Sequence, residues 1–319
     1  MLQPEEAKSD ISQWLDFVNK THPDLAYTTK DVDRFYTKVK QFQSSIKQPI
    51  SVRNFWSEMM LFNSMISDGH VSLTPHKKEE LINDYLQYGG VLFPFKVIID
   101  NNQVRIKEKL NGETSSLAGK TIVKINGLPI STVVDGLLKR THGDSDNQRE
   151  AILATRFSIY YGLVFGEQKQ FSLDIKKGEN TVQRLTVAAI NSIDYGDKSF
   201  ESNFQFTQLN NNTGLLTINS FLWLKDEARV FDFFKSVFTE IKKQNLTHLI
   251  IDIRNNSGGD DHFWKQGILP YIADKAWRTG STYQLKVISG RVAKGQKEGD
   301  IVTGEINSIQ QAEPDNPLK

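Results

Sequence analysis

Leu249 to Gly259 reads LIIDIRNNSGG, an apolar, β-branched run that stops at two adjacent glycines. Leu249 to Ile253 predicts a buried strand. Asn255-Asn256-Ser257-Gly258-Gly259 predicts a turn with positive φ. Such a junction offers bare backbone. Gly258 and Gly259 can turn their N–H groups toward a cavity with no side chain in the way, as an oxyanion hole requires. Asp252 and Arg254 flank the turn and are placed to pin it. The same residues also fit a surface turn after a core strand, and these eleven alone leave both readings open. The second candidate is His70, in Asp68-Gly69-His70-Val71-Ser72-Leu73, at a predicted helix-to-strand corner. An imidazole there is held either for proton transfer or for a structural hydrogen bond. His76 reads as loop, and no metal pattern joins the two histidines.

Composition narrows the classes. At 319 residues the chain exceeds one ordinary core, so two or three domains are expected. With 38% hydrophobic and 24% charged residues it has the make-up of an ordinary soluble protein. A formal net charge of +1 argues against nucleic-acid and anionic-membrane partners, which need a concentrated basic field. No apolar run approaches membrane-spanning length. The absence of cysteine removes thiol catalysis, disulfides and thiolate metal sites. No phosphate loop or nucleotide fingerprint is present, so neither cofactor nor metal is expected. Met-Leu-Gln-Pro-Glu-Glu has no basic or apolar leader region, so a signal peptide is either absent or already removed.

Helical periodicity dominates the front of the chain. Ile11, Trp14, Leu15 and Val18 share one face, ending before His22-Pro23. Val32, Phe35, Val39, Phe42 and Ile46 mark a second helix, with Thr28 or Thr29 as N-cap and a stop before Pro49. A third starts at Ser51 and carries Phe55, Met59, Phe62 and Ile66, with Gly69 as its C-terminal glycine and a strand beginning at Val71 to Leu73. From Tyr88 the texture turns to strands. Gly90 to Asp100 and Val104 to Lys107 form a hairpin at Asn101-Asn102, and Thr121 to Ile125 meets an Asn126-Gly127 turn before Pro129-Ile130. Helices follow at Thr132 to Lys139 and Gln148 to Tyr161. Strands at Phe171 to Ile175 and Arg184 to Ala188 then flank Lys177-Gly178-Glu179-Asn180. Asn191 to Asn212 reads as a linker. The last block is strand (Gly214 to Phe221), helix (Asp226 to Lys243), strand, an order that favours a crossover and a parallel pair. A helix (Phe263 to Ile272), a strand (Thr282 to Ile288), a polar segment and a terminal loop from Glu313 complete it.

Three of these pieces, in this order, resemble the tail-specific (C-terminal processing) serine peptidase family, and the resemblance covers nearly the whole chain. Asp68 to Leu73 is similar to the family's D-G-H-T-S-L corner, with Val71 in place of threonine. Gly119 to Ile130 resembles the G-x-x-I-x-x-I-N-G-x-P-I stretch of its embedded PDZ-like domain. Leu249 to Gly259 resembles its D-x-R-x-N-x-G-G strand and turn. The resemblance implies an α+β multidomain protein: an N-terminal helical bundle (1–86), a PDZ-like β-rich domain (87–200) and part of a crotonase/Clp-protease-like β/α core (201–319). It also implies a secreted or periplasmic peptidase acting on polypeptides with a free C-terminus. His70 matches the general base of the serine–histidine–glutamate branches, whereas other branches use a serine–lysine pair. Gly258 and Gly259 match the oxyanion turn. Gly89 to Phe93, and within it Gly90, Val91, Leu92 and Phe93, matches the loop that would bind the substrate carboxylate and add the peptide as a strand.

The nucleophile departs from the pattern. In the family a serine lies well downstream of the glycine turn, in a small-residue strand-to-helix junction. Here 60 residues follow Gly259, and Ser281, Ser289 and Ser308 are the serines among them. None has that context, and Val287-Ile288-Ser289-Gly290-Arg291 is the nearest imitation. The partner lysine or glutamate is missing as well, and acyl transfer needs nucleophile and base within hydrogen-bond reach. The leading expectation is therefore the N-terminal portion of a serine peptidase whose remaining core lies beyond this chain. The alternative is a non-catalytic peptide-binding relative that keeps the PDZ-like groove. An acyl-CoA enzyme of crotonase type shares the core geometry but not the PDZ-like insert or the helical front.

Overall fold

Pro4 at the first helical position, with Glu5 and Glu6 behind it, opens α1 (Pro4–Thr21). The Gln3 N–H closes a reciprocal cap on Glu6 at 2.8 Å. After the single turn α2 (Leu25–Thr28), Asp31 caps α3 (Val32–Ser45) by accepting the Arg34 N–H at 2.8 Å. The cap is thus neither Thr28, which lies inside α2, nor Thr29. A carboxylate one residue before the helix does the work that a hydroxyl further upstream cannot reach. Ser51 caps α4 (Val52–Met59) as expected, but the chain then tightens into a 3-10 turn over Met60–Met65. Ala7, Ile11, Phe35, Val39, Phe55 and Phe62 form the core of this bundle. An unanticipated helix, α5 (Lys78–Gln87), precedes the strands.

The computed structural model describes residues 1–178, 181–223 and 225–310. It divides into two units: Met1–Tyr195 with Lys286–Ile301, and Gly196–Leu285 with Val302–Lys319. In the first unit, β1 (Phe95–Asp100) and β2 (Gln103–Lys109) form the predicted hairpin. Asn101 and Asn102 turn it at φ 50° and 60°, and both N–H groups donate to the Glu150 carboxylate at 3.2 and 3.0 Å. β3 (Thr121–Ile125), β4 (Leu128–Pro129), α6 (Ile130–Leu138) and α7 (Asp146–Phe165) follow, then β5 (Gln170–Lys176) and β6 (Val182–Ala188). The sheet runs β1-β2-β3-β5-β6, antiparallel throughout, with β4 folded back on β3. Glu179 and Asn180, expected in the β5–β6 turn, lie outside the described residues.

Phe93 sits at the centre of this unit's core, 1% exposed, with its ring 5.2 to 5.8 Å from those of Phe95, Phe157, Tyr161 and Phe171. Three of these four contacts are edge-on, the arrangement favoured by aromatic quadrupoles.

The second unit contains α8 (Phe200–Asn203), β7 (Phe204–Asn210), β8 (Thr213–Ile218), α9 (Glu227–Lys243) and β9 (His248–Asp252). The expected linker from Asn191 to Asn212 is therefore mostly structured. β7 pairs antiparallel with β8 and escapes recognition because Gln205, Gln208 and Asn210 make it polar, as an edge strand is. The predicted crossover is present: β8 and β9 pair in parallel, Leu216 opposite Ile251, with α9 between them in sequence. Asp226 caps α9, and its stripe of Val230, Phe234, Val237, Phe238 and Ile241 is buried. The helix predicted over Phe263 to Ile272 breaks into α10 (Asp261–Gly267) and α11 (Leu269–Ile272), because Pro270 has no N–H to continue the ladder. β10 (Trp277–Lys286) pairs with β11 (Ile301–Gln310), a strand where sequence suggested only a polar segment. The expected terminal loop from Glu313 lies outside the described residues.

Phe93→Ala is expected to lower stability by about 3–5 kcal/mol, the range for an aromatic deleted from a packed core. Urea unfolding followed by circular dichroism checks it, and a loss below about 1 kcal/mol would place Phe93 outside the cooperative core.

Candidate active site

The glycine turn is built by β9 and the segment after β8. Asp252 ends the strand and accepts from Arg254 three times, from its backbone N–H at 3.1 Å, from Nε at 2.9 Å and from Nη2 at 2.6 Å. Those bonds, the side-chain ones first, hold the Asp252 carboxyl down at about 2. Asn256 then ties the turn to the neighbouring strand. Its Nδ2 donates to Ile218 O at 3.1 Å and its Oδ1 accepts the Gly258 N–H at 2.7 Å. Beyond it, Phe221 N–H donates to Gly258 O at 2.9 Å, and Asp260 N–H donates to Phe221 O at 2.7 Å, a parallel bridge that extends the β8–β9 pairing across the turn.

Gly258 and Gly259 adopt φ 99° and 141°. A side chain at Gly259 would collide with the carbonyl of Phe221. The two amides differ in what they can still do. The Gly258 N–H is committed to Asn256, whereas the Gly259 N–H has no partner among the described residues. Of the two glycine amides, the turn thus leaves the Gly259 N–H open, held rigid by side-chain and backbone bonds on both flanks. Asn256 stood in the sequence as a turn residue, and its clamping role carries no signal short of the fold.

His70 belongs to the first unit, and the corner around it differs from expectation. Gly69 is not at positive φ and follows the 3-10 turn by several residues, so it is no helix cap. Its N–H donates to Asp144 Oδ1, and a Cβ on it would press on the ends of the Gln148 and Asp144 side chains. Val71 to Leu73 is not a strand. The side chain of Asn63, 3% exposed, stands in for a strand partner by accepting the Leu73 N–H at 2.7 Å and donating to Leu73 O at 2.9 Å.

The His70 N–H donates to Asp68 Oδ1 at 2.8 Å, which fixes the backbone, while the imidazole is fully exposed with Nδ1 3.6 Å from the same oxygen. Asp68 Oδ2 lies 3.8 Å from Nε2 of His22, whose ring is buried and whose pKa desolvation lowers. One carboxylate therefore faces two imidazoles, one dry and one wet. The two histidines and Asp68 line a cleft of about 380 Å³ whose walls include Trp14, Phe17, Phe62 and Leu73. At 3.6 Å the Asp68 oxygen lies near Nδ1 of His70 but beyond hydrogen-bond reach, so the ring stays free to turn. His22 and Asp68 are the residues that sequence reasoning passed over as partners of His70.

The loop from Gly89 to Phe93 does not offer what was expected of it. Gly89 and Gly90 N–H donate to Leu86 O and Tyr85 O at 3.1 and 2.8 Å, Val91 N–H to the Tyr85 hydroxyl at 3.3 Å, and Leu92 N–H to Ile190 O at 2.8 Å. Phe93 is core. As folded here, these donors are spent within the chain, and no carboxylate loop is exposed. Tyr85 seals the loop from the other side, its phenol desolvated, bonded to Glu167 at 2.8 Å and pushed up to about 12. Ser289 is exposed in a turn closed by Arg291 N–H on Ile288 O, with no helix following it, so it lacks the strand-to-helix setting of an activated nucleophile.

The Asp252 carboxyl titrates below its ordinary 3.8, so its ion pair stabilises the fold above that value and ceases to as pH falls through about 2. Asp252→Asn is expected to lower the melting temperature at about pH 6 and to match the parent near pH 2, whereas an equal deficit at both would show that the charge is not responsible. Gly259→Ala is expected to cost about 2 kcal/mol or more by opening the Phe221 bridge, read as faster amide exchange at Phe221 and Asp260.

Residues 212–297, which contain the glycine turn, match the model of peptidase family S41. No curated protein matches the chain. Among solved structures, mature CPAF in complex with lactacystin superposes with a TM-score of 0.60 at 14% identity, over 89% of this chain and 62% of that one. Mature CPAF alone gives 0.58 at 14% identity, over 89% and 61%. The chain thus spans about three-fifths of the structures whose fold it shares. The match to peptidase family S41 thus covers residues 212–297, which hold the Leu249–Gly259 motif, while the fold over most of the chain is shared with mature CPAF.

Proposed function

We propose that these 319 residues are part of a serine-type peptidase that hydrolyses polypeptides through an acyl-enzyme, with the nucleophilic serine outside them. The observation that carries the reading is the open Gly259 N–H on a pinned turn inside the S41 match. In this mechanism a serine hydroxyl attacks the scissile carbonyl, and the Gly259 N–H holds the oxygen as it becomes an oxyanion. Because Gly258 donates to Asn256, the second donor comes from another residue. The serine's proton passes to His70 or to a lysine outside this chain, and then to the leaving amine. His70 suits the first role by its exposed ring and its Asp68 neighbour.

An unfinished sheet supports a nucleophile elsewhere. Among the described residues β9 pairs on one side only, with β8, and Ile250 and Ile253 are 49% and 52% exposed. Native sheets cover such an edge. The antiparallel sheet with α6 and α7 we read as the PDZ-like module and the helices before it as a bundle. We place the protein in the periplasm or outside the cell, where tail-specific peptidases meet polypeptide termini. Its substrates would then be polypeptides with a free C-terminus, bound elsewhere than at Gly89 to Phe93 as that loop is folded here.

The test is the protein isolated from its native source, treated with a fluorophosphonate serine probe and weighed intact. Labelling on a peptide absent from these 319 residues, with a mass above 36.3 kDa, is the expected result. An unlabelled protein of this mass, processed leader aside, would instead make it a peptide-binding relative without turnover. In the labelled form, His70→Ala is expected to cut hydrolysis by about 10³-fold or more without changing the melting temperature. An active, folded variant would assign the proton to lysine.

A further inference from the structure

A second cleft lies in the first unit, between the start of α3, the 3-10 turn, and residues 139 and 149 at the ends of α6 and α7, and it encloses about 330 Å³. Its lining is strongly one-signed. Lys30, Arg34, Lys38, Lys139 and Arg149 surround it against a single carboxylate, Asp31, which is already engaged as the cap of α3. The whole chain carries a net charge of only +1, so this concentration is local. Arg149 is anchored, reaching Gly143 O at 3.3 Å and Ser67 Oγ at 3.5 Å and pairing with Asp146 Oδ1 at 3.9 Å. The other four cationic side chains make no ion pair or hydrogen bond among the described residues. Four uncompensated cations facing one cleft repel one another and favour an anionic occupant.

Spacing selects the ligand. Arg34 and Lys38 stand one turn apart on α3, about 6 Å along the axis. Alternate side chains of an extended peptide leave one face about 6.6 Å apart. We propose that this cleft docks an extended acidic segment of polypeptide with carboxylates at alternate positions, of the form Glu-x-Glu. The carboxylates pair with Arg34 and Lys38, and Lys30 and Lys139 supply the surrounding field. A compact oxyanion would engage one end of the row and leave the other bare. The proposal takes from the peptidase reading only that the partner is a polypeptide, and docking requires no turnover.

The experiment is fluorescence anisotropy on the 319-residue chain with a labelled Glu-x-Glu-x-Glu peptide and its Gln-x-Gln-x-Gln counterpart. The acidic peptide is expected to bind, with an affinity that falls as salt rises, and the glutamine peptide to bind about tenfold or more weakly. Arg34→Glu with Lys38→Glu, both exposed, should weaken the acidic peptide by at least the same factor. Should that variant fail to fold, Lys139→Glu on another element serves the same purpose. Equal binding of the two peptides, or full affinity in the charge-reversed variants, would overturn the proposal. So would inorganic triphosphate displacing the peptide at a lower concentration than unlabelled peptide does, which would assign the cleft to phosphate. Because no step is hydrolytic, a failed serine-probe experiment leaves this result standing, and a failed anisotropy experiment leaves the peptidase reading standing.

Discussion

The backbone of Phe221 runs so close to that of Gly259 that no side chain fits between them. That contact governs the second unit. It lets the β8–β9 pairing continue past the end of both strands, with Phe221 exchanging hydrogen bonds with Gly258 and Asp260. With the carbonyl of Gly258 and the N–H of Asp260 both used, the peptide between them has its direction set, and the Gly259 N–H faces away from the bridge. An exposed, oriented and unpaired amide is therefore a by-product of strand geometry once glycine occupies the position. Asn256 completes the arrangement by drawing Gly258 back toward β8, which fixes the turn and removes one of the two donors the sequence seemed to offer.

The first unit solves a related problem with side chains. The segment after the 3-10 turn has no strand to pair with, yet it must hold Asp68 and His70 in place. Asn63 supplies a donor and an acceptor to Leu73, Asp144 takes the Gly69 N–H, and Asp68 takes the His70 N–H. Three N–H groups and one carbonyl thus find partners in side chains where a ladder would otherwise serve. The backbone of the corner is pinned while the His70 ring stays in solvent, beside a carboxylate it shares with a buried His22.

Much of this was legible beforehand, for identifiable reasons. The helix faces of α1, α3 and α9, the Asn101-Asn102 and Asn126-Gly127 turns and the parallel β8–β9 pair each declare themselves through period or φ preference, which are local properties. What stayed hidden depends on non-local partners. β7 looked like linker because its residues are polar, and only β8 makes it a strand. The Asp68 to Leu73 stretch looked like the beginning of a strand because Val71 and Leu73 alternate, while its true partner is an amide side chain ten residues earlier. Gly89-Gly90-Val91 looked like a free loop of donors, and nothing local reveals that Tyr85 and Ile190 consume them. At the glycine turn, residue types alone could show that N–H groups were available, but the count depended on where the Asn256 side chain points.

The three-stranded sheet of the second unit has two edges that run in opposite directions, since β7 is antiparallel to β8 and β9 is parallel to it. Copies stacked by simple translation would have to join β9 of one to β7 of the next in antiparallel sense. β7 brings Gln205, Thr207, Gln208 and Asn210 with one exposed apolar side chain, Leu209, whereas β9 offers exposed His248 and Ile250, the latter beside Leu215. The two edges differ in composition. The polarity of the sheet thus discourages the unit from growing into a fibre of itself while leaving β9 ready for a strand of different composition.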